Sequence, residues 1–170
     1  IDERIACVMS LCGWGDGERK FRGQHPTPEA WAKFTDILER GREQKAETGK
    51  SLWVSRFDVV PIPEELRKNL SPKAQFEVPV ETAISMYNFR AEDVVAEIAP
   101  RPLLLFHTAG DVVTPTEQSI RLFEKAGANA ELMIPTGVSH FPLSEEDAPH
   151  TRSLIKAWLD KFFPTPLRAA

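Results

Sequence analysis

The chain has 170 residues, 42% hydrophobic and 27% charged, and its 21 Lys and Arg against 25 Asp and Glu leave a formal net charge of −4. That is enough chain to bury a core in one ordinary domain, and the small acidic excess offers no electrostatic basis for a nucleic-acid or anionic-membrane partner. No apolar run approaches the roughly 18 residues of a spanning helix, and no signal peptide is visible.

The chain opens without an initiator Met and runs almost at once into "RIACVMSLC" (4–12), which reads as a buried strand closed by the turn signals Gly13 and Gly15. Cys7 and Cys12 lie five apart with no further Cys or His beside them, so they are expected to be small buried residues on that strand rather than a disulfide or metal pair. This cysteine usage fits a cytoplasmic setting. Domains usually begin with exposed residues, so a start this close to a core strand suggests a chain that begins inside a larger fold.

From Trp14 to Arg90 the texture changes. "HPTPEAWAKFTDILER" predicts a helix with Thr27 as N-cap, Pro28 at the first helical position, and Trp31, Phe34 and Leu38 on one face. "GREQKAETGKS" is polar and reads as a solvated helix end and loop; "ETGKS" within it is not a phosphate loop, because Gln44 stands where the first glycine belongs. "VVPIPEELRKNLSPKAQFEVPVE" is proline-punctuated and predicts at most short helices. A segment this long between strands is an inserted cap or a functional excursion.

Regular patterning then returns. "AEDVVAEIA" (91–99) predicts a short helix stopped by Pro100, and "RPLLLFHTAGD" predicts a strand over 103–107 that ends in a loop. "TPTEQSIRLFEKAG" predicts a helix with a Thr114/Glu117 capping box, Pro115 at its first position, Ile120 and Phe123 on one face, and Gly127 at its end. "ELMIP" is the next strand. "APHTRSLIKAWLDKFF" closes the chain as an amphipathic helix with Leu154, Ile155, Trp158, Leu159 and Phe162 on its apolar side.

Fully apolar strands alternating with amphipathic helices predict an α/β fold with a parallel sheet covered on both faces. Sites in such sheets lie outside the carboxyl ends of the strands. Three loops leave those ends, Gly13–Asp16, Thr108–Thr114 and Thr136–Phe141; the second carries Asp111 and the third His140, within "GVSHFP". A carboxylate and an imidazole on adjacent strand ends can form the second half of a nucleophilic triad, the carboxylate fixing the tautomer and the free ring nitrogen taking the nucleophile's proton.

"RPLLLFHTAGDVVTPTEQSIRLFEKAG", "ELMIPTGVSHF" and the last helix resemble the C-terminal part of the α/β-hydrolase fold, in particular its dienelactone-hydrolase and prolyl-oligopeptidase-like branches. The resemblance covers roughly 1–13 and 91–163. It implies that residues 1–13 and 91–170 are hydrolase core and 14–90 the cap, that Asp111 is the triad Asp, and that His140 is the triad His. It further implies a serine hydrolase acting on an ester, amide or lactone carbonyl of a small acyl substrate, with no metal or organic cofactor. Carbon–carbon hydrolysis, acyl transfer and a non-catalytic scaffold subunit are the competing readings.

The family's G-x-S-x-G elbow occurs nowhere in the chain, nor does G-x-C-x-G. Cys12 is followed by Gly13 but has Ser10 two places before it and ends a strand, so it is a poor substitute. The expected partner is a separate N-terminal polypeptide carrying the serine and the oxyanion donors, in a heterodimer made by splitting or processing one precursor. Alone, the chain would present an unpaired hydrophobic sheet edge.

Trp14, Val113 and Phe141 are the substrate-lining candidates on the three loops. Trp31, Phe34 and Trp53 could wall the crevice or pack within the cap. His107 reads as a satisfied core histidine, His25 and His150 as cap or surface residues. Glu145, Glu146 and Asp147 read as solvating the loop and favouring the last helix through its dipole, with the alternative that one of them orients His140.

Overall fold

The computed structural model describes Asp2, residues 4–144 and residues 147–163. In chain order it contains β1 (Val8–Leu11), α1 (Gly17–Gln24), α2 (Pro28–Thr48), β2 (Trp53–Ser55), α3 (Arg56–Val59), β3 (Glu77–Pro79) and α4 (Val80–Asn88). There follow β4 (Leu103–Phe106), α5 (Glu117–Ala126), β5 (Ala130–Met133) and α6 (Ala148–Phe162). Short 3-10 helices occupy Glu64–Asn69, Ala91–Asp93 and Val95–Ile98.

The main sheet has three parallel strands in the order β1-β4-β5, with Val8 opposite Leu103 and Leu103 opposite Ala130. All four side chains of β4 are buried, and they alternate between two faces as the pleat requires. Leu103 and Leu105 enter a cluster with Val95, Leu122 and Ala126, which brings α5 onto one face. Leu104 and Phe106 pack with Trp158, which brings α6 onto the other, backed by Leu154, Ile155, Leu159 and Phe162. The parallel sheet covered by helices is therefore as expected. β1 is shorter than the 4–12 expected: Cys7 precedes it half-buried, and Cys12 follows it at φ +50.

The segment between β1 and β4 packs around its own core of Phe21, Phe34, Ile37, Leu38, Val59, Val80 and Ala83. It leaves and returns at one neck, where Asp16 and Arg90 form an antiparallel bridge, Gly17 N–H donates to Phe89 O at 2.8 Å, and the Arg90 guanidinium lies 3.3 Å from the Asp16 carboxylate. Thr27 caps α2 and Pro28 opens it, as expected.

The helix does not stop at "GREQKAETGKS"; it continues to Thr48 and ends at Gly49, φ +70. Within that segment Gly41 is where α4 crosses: a Cβ there would lie 2.2 Å from Val80 Cγ1. α1, capped by the Asp16 side chain on Arg19 N–H at 2.8 Å, was not expected, nor were α4 and the short antiparallel β2–β3 ladder. Residues 91–99 form two 3-10 turns instead of a helix.

The face of α5 also differs from expectation. Gln118, Ser119, Leu122 and Ala126 are buried, whereas Ile120 and Phe123 are exposed, and Thr116 precedes the helix without a side-chain cap. Two polar residues turn inward here because each finds a partner. The Gln118 side-chain oxygen accepts Gly15 and Asp16 N–H, each at 3.1 Å, and Ser119 meets His107. Among the described residues no helix is long and apolar enough to cross a membrane.

Candidate active site at the carboxyl ends of the strands

The ladder runs on beyond the regular strands. Cys12 N–H donates to Phe106 O at 2.8 Å, His107 N–H to Met133 O at 2.9 Å and Ala109 N–H to Pro135 O at 2.9 Å. These bonds hold the ends of β1, β4 and β5 side by side, and the loops start from a rigid base. Thr108 anchors two of them: its hydroxyl donates to Val138 O, and its carbonyl accepts the Thr116 hydroxyl at 2.8 Å.

Asp111 follows Gly110, φ +69, and folds back on its own turn. Its Oδ1 accepts the N–H of Val113 at 2.7 Å and of Thr114 at 2.9 Å. Its Oδ2 lies 2.8 Å from His140 Nδ1 and 3.3 Å from His107 Nε2. The carboxylate is wholly buried. Burial alone would raise its pKa, but the hydrogen bonds from His107, His140 and the Thr114 amide outweigh that and hold it well below the usual carboxylate range. An ionised carboxylate only accepts, so His140 Nδ1 carries the proton of the shared bond. Among the described residues Nε2 of His140 has no hydrogen-bond partner and is left as the basic nitrogen.

His140 is carried on a tethered loop. Ser139 N–H donates to Asp147 Oδ2 at 2.8 Å, and Phe141 N–H to Ser139 Oγ at 3.2 Å. Asp147 therefore pins the loop with its carboxylate and makes no side-chain cap on α6, contrary to the solvating role expected of it. Glu145 and Glu146 lie outside the described residues, and it is Asp111 that bonds His140.

The three substrate-lining candidates separate. Phe141 packs edge-on against the His140 ring, centroids 5.1 Å apart, and the two line a cavity of about 400 Å3 with Leu11 and Asn69. Trp14 lines a different, apolar cavity of about 520 Å3 along β1, with Val8, Ser10, Phe89, Ile98 and Leu105. Val113 is buried, and its N–H is spent on Asp111. Phe34 lies in the core of the excursion, Trp31 packs against that core, and Trp53 is exposed. His25 is buried, its Nδ1 3.0 Å from Phe21 O, and so is not a surface residue; His150 is exposed.

Cys12 comes closer to this site than a buried strand residue would. A ligand atom from each of Cys12, Asp111 and His140 falls within 4.8 Å of the others, a spacing that could surround a small cation. Burial, with the nearby Asp111 charge adding to it, pushes the Cys12 thiol up to about 12, whereas the Thr108 backbone pulls the other way. At neutral pH it is a thiol, neither a ready nucleophile nor a ready metal ligand. Its approach to the dyad follows from the positive φ that ends β1, which nothing in the sequence announces. The Asp147 tether is likewise invisible in sequence, because an acidic run does not say which carboxylate turns inward.

No protein-family model and no curated protein matches the chain. Solved structures do. DcsB in complex with its substrate analogue aligns over 95% of this chain and 59% of its own, at TM-score 0.70 and 13% identity. The α/β hydrolase GrgF from Penicillium sp. sh18 aligns over 97% and 58%, at TM-score 0.69 and 17% identity. The monoacylglycerol lipase of Paleococcus ferrophilus aligns over 94% and 60%, at TM-score 0.62 and 19% identity. The chain thus spans no more than 60% of any of these three structures. At such identities the likeness is one of fold, and the fold of this chain is that of the α/β hydrolases.

Proposed function

We propose that this chain supplies the general base, His140, and its orienting carboxylate, Asp111, to a serine-type hydrolase acting on the ester, amide or lactone carbonyl of a small acyl substrate. The observation that carries the reading is the 2.8 Å bond from His140 Nδ1 to the buried Asp111 carboxylate, with Nε2 unengaged among the described residues, at the carboxyl edge of a parallel sheet. His140 Nε2 takes the hydroxyl proton as the serine oxygen adds to the carbonyl carbon, then returns it to the leaving group; a water repeats the cycle on the acyl-enzyme. Asp111 steadies the imidazolium without accepting its proton. No metal or organic cofactor enters this chemistry.

The serine and the oxyanion donors come from polypeptide outside these 170 residues. In support, no serine, threonine or cysteine among the described residues bonds His140 Nε2, and β1 ends the sheet with an unpaired edge beside the apolar 520 Å3 cavity. The partner strand would pair with that edge and cover the cavity. The two cysteines, both unpaired, suit a cytoplasmic setting.

The test is a fluorophosphonate probe on the native protein, with intact and peptide mass spectra. Labelling of a serine outside this sequence, lost on His140→Ala with assembly preserved, supports the reading. A label within these residues, or none on an intact assembly, refutes it; the second result would leave a scaffold.

A further inference from the structure

We propose that His107 is a positioning residue for this reaction: a buried imidazole, itself held by Ser119, that locks the Asp111 carboxylate and so aims His140. The inference rests on the hydrolase reading for its chemistry, but its geometry stands apart from it.

His107 follows β4 with none of its surface exposed. An apolar side chain would fill such a place without the cost of burying a polar ring. The ring instead uses both nitrogens. Nε2 lies 2.9 Å from Thr114 O and 3.3 Å from Asp111 Oδ2, and Nδ1 lies 2.7 Å from Ser119 Oγ. A carbonyl and an ionised carboxylate can only accept, so Nε2 carries a proton, bonded to Thr114 O and facing Asp111 Oδ2 beside it. Nδ1 then accepts the Ser119 hydroxyl, which fixes the tautomer. Ser119 is itself fully buried on α5.

The consequence lies in how Asp111 is held. Oδ1 is fixed by the amides of Val113 and Thr114, which belong to its own turn. Oδ2 is shared by His107 and His140, and of these His140 is the group that must accept and release a proton during turnover. His107 is therefore a side-chain donor beside that oxygen that takes no part in the proton transfers; the Cys12 thiol also reaches the Asp111 carboxylate, but as a weak donor. Without it Oδ2 loses a fixed neighbour, the carboxylate can tilt about the two amide bonds on Oδ1, and the direction of His140 Nδ1–H tilts with it.

Three variants of the native protein test this: His107→Phe, which fills the space without a donor; His107→Gln, whose amide nitrogen can stand near the position of Nε2; and Ser119→Ala, which frees the ring. Two readouts are compared, kcat and KM on a chromogenic ester and the low-field proton resonance of the His140–Asp111 bond. For His107→Phe, kcat should fall about a hundredfold with KM within about twofold, since misaiming a catalytic group acts on the reacting geometry rather than on binding. The resonance should shift or broaden. His107→Gln should restore both largely, and Ser119→Ala should lie between.

A folded His107→Phe protein that keeps kcat and an unmoved resonance overturns the proposal. If that variant does not fold, Ser119→Ala decides, and an unchanged kcat and resonance there overturn it equally. If no form of the protein turns over esters, the hydrolase reading fails, yet the resonance still decides whether His107 sets the dyad.

Discussion

Lys20 is a charge buried against apolar rings. It is 1% exposed; its ammonium donates to Gln24 Oε1 at 3.0 Å and stands over the rings of Phe21 and Trp14 at 4.1 and 4.7 Å. Among the described residues it makes no salt bridge. Desolvation brings its pKa from 10.5 down to about 7. In the unfolded chain the proton stays on up to the higher value, so between the two the unfolded state binds more protons and stability rises with pH. Below the folded value the full cost of burying the charge is present. At about 1.4 kcal/mol per unit, the wild type should gain about 3 kcal/mol between pH 6 and 9 from this group. The two ring faces favour the charged form and offset about 1 kcal/mol. Lys20→Met, which keeps the volume and removes the charge, should therefore be the more stable protein at pH 6. Its advantage over wild type should shrink by about 2 kcal/mol on going to pH 9. Urea unfolding of both proteins at the two pH values measures this difference directly. Parallel pH profiles for wild type and Lys20→Met would show that Lys20 reaches water or an acidic partner in solution, and the reasoning would fall.

Asp111→Asn keeps the shape of the site but places an amide where two histidines donate; kcat should fall about 10^4-fold with little change in KM, read by steady-state kinetics. The Asp111 carboxyl sits below its ordinary 3.8, so it contributes stability above that pH and loses it as pH falls further. Asp111→Asn should accordingly flatten the acid limb of the stability curve, and an unchanged limb in acid titration would contradict the assignment. Leu104→Ala empties a wholly buried place between β4 and α6 and should cost about 3 kcal/mol in urea unfolding. Gly41→Ala should destabilise by about 1 to 3 kcal/mol although alanine is the better helix former, because its Cβ meets Val80; a gain in melting temperature would show that α4 can move aside.

The central strand and the dyad were legible because their signals are local or strongly periodic. "LLLF" is apolar at every place, so both its faces must be covered, and helices on either side supply that cover. Asp111 and His140 could be read because strand ends in a parallel sheet converge on one edge, whatever the details of the loops. What escaped was decided by partners distant in sequence. "GREQKAETGKS" looks like a helix end and loop because it is polar, and nothing in it shows that Val80 packs across Gly41. Ile120 and Phe123 look like the inner face of α5 until Gln118 and Ser119 find polar partners on the loop after β1 and on His107. His107 reads rightly as a satisfied core histidine, but an apolar run does not say that Asp111 stands among its neighbours.

The bond from Gly15 to Gln118 joins residues 103 apart in the chain, and β1 meets β4 across the same excursion. Closing a loop of that length costs about 4 kcal/mol of chain entropy before any sheet contact repays it. The core of Phe21, Phe34, Val59 and Val80 lies wholly inside the loop and needs no such closure. The order of assembly follows: the excursion condenses first and shortens the effective loop, and the strand pairing that aligns Asp111 with His140 comes last. Substitutions at Phe34 should then slow folding, whereas substitutions at Leu104 should chiefly speed unfolding. A folding limb slowed more by Leu104→Ala than by Phe34→Leu would reverse that order. The excursion, which carries neither Asp111 nor His140, would thus act as the template on which the two are brought together.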